Sequence, residues 1–174
     1  MTITARIEPI SVMGSEEEPN KELLVKELEI KMQQMGYLVP YREELNWSRT
    51  IASLELGEAQ TLQKLKKAAA KNDRVLLIYA RLFKGTIFQH LILHPNQSGI
   101  YLPFRFDEPF VIQIEGRKIW IGSSVRLLEE LSWLQISFDQ GDHQESVKEY
   151  WQNLIEISRK SVNYMSPIIF EEAI

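Results

Sequence analysis

The chain has 174 residues, 44% of them apolar and 25% charged, and a formal net charge of −4. A domain of this length buries roughly 70% of its unfolded surface, so neither metal nor disulfide is needed to explain folding. The absence of cysteine excludes disulfide frameworks, thiolate zinc sites, iron–sulfur clusters and cysteine nucleophiles.

The charge is segregated. Residues 1–30 carry −4, 31–73 carry +2, 74–126 carry +4 and 127–174 carry −6. An acidic terminal helix that neutralises a basic sheet within the molecule accounts for this pattern. The acidic balance also disfavours nucleic-acid binding, which calls for a net basic stripe. No apolar run approaches the length of a membrane span, and the first 14 residues lack the apolar core of an export signal. The expectation is therefore a cytoplasmic protein with no membrane association.

Residues 1–19, with two prolines, Gly14 and the run Glu16-Glu17-Glu18, predict a flexible or loosely docked arm, and residues 20–174 a single domain. Leu24, Leu28, Met32 and Met35 recur at helical spacing before Gly36 and predict a helix over 20–35. Pro40, Glu43, Glu44 and Asn46 mark a connecting loop. Ala52, Leu54 and Leu56 alternate with Ser53 and Glu55 as in a half-buried strand, which Gly57 ends. Ala59, Leu62, Leu65 and Ala69 then predict a second helix over 58–71, with Lys66, Lys67 and Lys71 near its negative end.

From Arg74 to Ile121, turn signals every eight to twelve residues separate runs rich in Ile, Val, Phe, Tyr and Leu. Residues 74–83 and 86–94 read as a hairpin about Lys84-Gly85. Residues 100–106 read as a strand that Pro103 confines to an edge or a bulge. Residues 110–114 and 118–121 read as a further hairpin. Ser123 or Ser124 is the natural N-cap of a helix carrying Val125, Leu128, Leu131 and Leu134. Asp142 and Glu145 have capping-box spacing ahead of a last helix that stops before Pro167, after which Ile168–Phe170 tuck back onto the body. The predicted fold is α+β: an antiparallel meander of five to six strands packed with two helices from the N-terminal half and two from the C-terminal part.

Chemical signals are sparse. On a strand, His90 and His94 would share a face about 13 Å apart, too far for one metal ion. They read as hydrogen-bonding residues of the sheet. Asp139-Gln140-Gly141-Asp142 lacks the later ligands of a calcium loop. Neither a metal site nor a cofactor is expected. Gly122-Ser123-Ser124 could direct backbone N–H groups at an anion, but no P-loop, Gly-x-Gly-x-x-Gly or Gly-x-Ser-x-Gly accompanies it, and capping explains the serines.

The strongest recognition signal is Tyr101, Arg105, Arg117, Lys118 and Trp120, because Tyr, Trp and Arg concentrate binding energy at protein interfaces. The leading functional reading is therefore a non-enzymatic interaction module, of an adaptor, immunity-type or chaperone-like kind, bound to a protein partner or to a second copy of itself. One alternative is a small enzyme with dispersed acid/base residues at His94, Tyr101 and Ser123. Another is a nucleic-acid accessory protein that uses the basic middle. A deep cleft holding His94 would favour the enzyme, a flat exposed Tyr101–Arg105 surface the interaction module, and steeply salt-dependent nucleic-acid binding the third reading.

Overall fold

A computed structural model describes residues 1–10, 21–37 and 50–173. The chain order is β1 (Thr2–Ile7), α1 (Lys21–Gln34), β2 (Ala52–Glu58), α2 (Ala59–Asn72), α3 (Leu77–Phe83), α4 (Gln89–Leu93), β3 (Gly99–Leu102), β4 (Phe110–Ile114), β5 (Arg117–Ser123), α5 (Ser124–Trp133), α6 (Gln135–Gln140), α7 (Glu145–Tyr164) and β6 (Ile168–Ala173).

The six strands form one mixed sheet in the order β2-β1-β6-β3-β5-β4. The protein is α+β, but the expected antiparallel meander is not its topology. β3 and β5 pair in parallel through Ile100↔Ile121, Tyr101↔Gly122 and Leu102↔Ser123, because the chain passes to the edge to form β4 before it returns beside β3. The two outermost segments of sequence supply inner strands: β1 lies between β2 and β6, in register from Thr2↔Ala173 to Ile7↔Ile168.

β1 also corrects the expectation of an N-terminal arm over its first residues. Ile3, Ala5 and Ile7 are fully buried, at the period of two that a half-buried strand requires. The remainder of the predicted arm, residues 11–19, and the loop predicted around Pro40–Asn46 lie outside the described residues.

The predicted hairpin over 74–94 is instead the helical pair α3 and α4. Lys84, at the proposed turn, takes a left-handed conformation (φ 52) and caps α3, and the chain continues without strand pairing. The capping box predicted at Asp142 does not form; Gln144 precedes α7 and makes no side-chain cap. Ser123 caps α5 as expected, its hydroxyl accepting the Arg126 N–H at 3.2 Å.

The two faces of the sheet bury separate cores. Ile3, Ala5, Ile7, Tyr101, Ile168 and Phe170 pack with Leu62 and Leu65 of α2, Leu91 of α4, Leu127 and Leu131 of α5, and Trp151 and Leu154 of α7. On the other face Ile100, Ile112, Ile114, Ile121 and Ile169 pack against Leu24, Leu28 and Met32, the apolar stripe of α1. A register shift opposite Ile3–Thr4 places Gly57 at φ +126, which bends the end of β2 into the start of α2.

Candidate functional site

The polar residues singled out in the sequence do converge, but inside the protein. His90, His94, Tyr101 and Ser123 are all fully buried, joined by Asn96, Ser124 and Glu130. The Tyr101 hydroxyl donates to the His90 carbonyl at 2.8 Å, with the Asn96 side-chain oxygen also in reach. His90 Nδ1 accepts the Ser123 N–H at 3.0 Å, and its Nε2 lies 3.1 Å from the Phe106 carbonyl. His94 repeats the arrangement: Nδ1 accepts the Asn96 N–H at 3.0 Å and Nε2 faces the Trp120 carbonyl at 3.3 Å.

In each ring one nitrogen accepts and the other donates, the pattern of a neutral imidazole whose tautomer is fixed by backbone groups. Burial lowers the pKa of His90 to about 4 and of His94 to about 3, so both stay neutral near pH 7. Glu130, pushed up to about 8 by burial, accepts the His90 and Leu91 N–H groups at 3.0 and 2.8 Å at the start of α4. This network fastens α4, β3 and α5 together and offers no reacting atom to solvent. The acid/base reading of His94, Tyr101 and Ser123 is therefore corrected: the residues are neighbours, but as hydrogen-bonded core.

The five recognition residues divide. Tyr101 lies in the core. Arg105 is exposed and forms an ion pair with Glu129 on α5. Arg117, Lys118 and Trp120 line a shallow recess of ≈ 220 Å³ together with Ile169, Phe170 and Glu171. The structure brings these last three together and separates them from the other two.

The surface that sequence reading missed is acidic. Where β2 turns into α2 beneath α7, a groove of ≈ 620 Å³ is lined by Glu55, Glu58 and Glu149, with Gly57, Thr61, Ser146 and Asn153 between them. Lys64 is the one cation in that lining, and its Nζ is directed to Gln144 Oε1 at 2.9 Å. The acidic surface continues along the chain: Asp139, Asp142, Glu145 and Glu149 are all exposed, with half-buried Lys148 the only Lys or Arg over 139–149. Glu145 and Glu149 stand one turn apart on α7, about 6 Å along its axis. The groove's parts come from residues nearly a hundred positions apart, and the hydrogen bond from Asn153 Nδ2 to the Glu55 carbonyl, at 3.4 Å, spans them. The one local signal was the −6 of residues 127–174, which reads equally well as internal neutralisation.

A mixed α+β sheet that carries a carboxylate-lined groove on ordered backbone defines a protein that presents fixed negative charge to its surroundings. The chain belongs to the family described as "Putative DNA-mimic protein", whose profile matches residues 10–170. No curated protein and no solved structure matches it. The family overturns the adaptor, immunity-type or chaperone-like reading, and with it the small-enzyme and nucleic-acid accessory alternatives. A protein partner is consistent with this family, whereas setting nucleic acid aside is corrected in part, because a DNA mimic points to proteins that bind DNA. Among the described residues, no helix is long and apolar enough to cross a membrane.

Proposed function

We propose that the protein works by occupying the DNA-binding surface of a DNA-binding protein, in the cytoplasm, with the groove at β2, α2 and α7 as its contact face. The observation that carries this reading is the carboxylate pair Glu58 and Glu149 across that groove, extended by Glu145, Asp142 and Asp139. DNA attracts its proteins mainly through a dense row of phosphates, and the Lys and Arg side chains that meet it release counterions on contact. Carboxylates held on a helix and a strand end offer the same cations fixed negative charge without base edges to read. Family membership supports the same conclusion.

The test is capture from a native cell extract on immobilised wild-type protein and on E58Q/E149Q, each followed by elution with a double-stranded oligonucleotide. The expected result is a protein held by the wild type, released by the duplex and absent from the variant. Capture that the duplex does not displace, or that the variant retains in full, would overturn the proposal.

A further inference from the structure

A second surface, chemically opposite to the acidic groove, surrounds α3. Ile78 and Leu82 are each 70% exposed and Phe83 is 72% exposed, with Leu76, Tyr79 and Ile87 also open to solvent. Only Ala80 of this helix is buried. Tyr79 and Phe83, one turn apart, stack with ring centroids 6.0 Å apart, so the aromatic pair is ordered before anything binds. Contiguous exposed apolar surface of this kind marks an interaction site.

Beside the ridge runs a groove of ≈ 600 Å³ with an apolar floor of Leu93, Pro109, Phe110, Val111 and Trp120. Arg81 and Lys84 belong both to the groove lining and to the α3 segment, so ridge and groove form one surface. Its charge is net basic. Arg81 and Lys84 line the groove with exposed Arg74 at the head of the ridge, against Glu108, whose carboxylate lies 3.9 Å from the Lys84 ammonium, and Asp73, whose carboxylate accepts the Ile87 N–H at 3.0 Å.

We propose that α3 and its groove form a second docking surface, which takes an amphipathic segment of a protein partner, apolar on one side and acidic on its flanks. The cations select the acidic flanks, while the stacked aromatics and the groove floor receive the apolar side chains. Two copies meeting here about a two-fold axis would bring the net basic patch of Arg74, Arg81 and Lys84 against the same patch of the second copy, which opposes self-association. A bilayer surface would touch the ridge but could not fill the recess beside it. This surface is independent of the acidic groove and extends the protein's recognition beyond DNA mimicry.

The probe is a fluorescent 16-residue helical peptide with Leu and Trp on one face and Glu on the other, compared with its isomer in which Lys replaces Glu. Anisotropy titration is expected to show the Glu peptide binding at least tenfold more tightly than the Lys isomer. L82S/F83S, two exposed positions, is expected to weaken it at least tenfold, whereas E58Q/E149Q leaves it unchanged. Circular dichroism melting confirms that each variant folds. Equal binding of both peptides, or no saturable binding, would overturn the proposal. So would self-association in sedimentation analysis, or pelleting with phosphatidylglycerol vesicles, if L82S/F83S abolishes it. Because E58Q/E149Q is tested in parallel, failure of this surface and failure of the acidic groove give different results.

Discussion

The Lys66 ammonium donates to the His94 carbonyl at 2.6 Å and to the Pro95 carbonyl at 3.0 Å, within the protein interior. His94 is the C-cap of α4, so a cation from α2 sits at the negative end of a neighbouring helix and binds the carbonyls of its C-cap and of the residue that follows. Burial, reinforced by the nearby Arg81, lowers the Lys66 pKa to about 7. The contact is a structural tie with a cost in desolvation, and that cost depends on pH.

Replacing Lys66 with Met separates the two contributions. Between pH 7 and about 10.5 the unfolded chain binds this proton more tightly than the folded one, so the wild type gains stability from this residue as pH rises. The variant has no proton to release. Urea midpoints at pH 7 and pH 9 should show the difference, wild type minus K66M, growing toward alkaline pH. A constant difference would refute this account of Lys66.

His90 and His94 act on the acid side. Both are neutral when folded, with pKa values of about 4 and 3 against 6.5 for free imidazole. Their contribution is complete above pH 6.5 and is lost as pH falls through the folded values, because the unfolded chain takes up protons first. Glu130 works in the opposite direction between pH 4.5 and 8, so wild type and H90Q are compared at each pH. Over pH 6 to 4.5 the wild type should lose stability faster than H90Q, approaching about 1.4 kcal/mol per pH unit. Parallel denaturation profiles would refute this.

Gly122 owes its identity to Tyr101. A Cβ at this position would lie 2.4 Å from the Tyr101 ring, which is itself fixed by hydrogen bonds and fully buried. Neither β5 nor the ring can give way without disturbing the parallel pair Tyr101↔Gly122. G122A should therefore lower stability by about 1–3 kcal/mol, the usual range for overpacking. Chemical denaturation followed by tryptophan fluorescence measures it, and an unchanged midpoint would contradict the packing described.

Affinity for a DNA-binding partner should fall steeply with salt. Wild-type affinity is expected to drop at least tenfold between 50 and 200 mM salt on the order-of-magnitude scale of phosphate mimicry, and E58Q/E149Q should show a shallower slope. Calorimetry across a salt series gives both slopes. Salt-independent binding would place the contact elsewhere than on the carboxylates.

Periodic elements were legible in the sequence: α1, α2 and α7 from their apolar stripes, β2 from its alternation, and β4 with β5 from the Glu115-Gly116 turn. Residues 74–94 were not. Ile78, Tyr79 and Phe83 are residues that strands favour, and with Leu82 they imitated a buried strand although all four are exposed on a helix. β1 had a usable signal in Ile3, Ala5 and Ile7, outweighed by the prolines and glutamates that follow. The parallel contact of β3 with β5 leaves no local trace, since it depends on where β4 is placed. The acidic groove was hidden for the same reason: Glu58 and Glu149 become neighbours only through the fold.

The pairing of β1 with β6 has a consequence for synthesis. Arg6 and Glu171, linked across these strands, are 165 positions apart, so β1 waits for β6 to be made before its inner place in the sheet is secured. Until then Ile3, Ala5 and Ile7 lack one of their two neighbouring strands. A stall in translation before β6 is made would leave the sheet with an open seam in its middle.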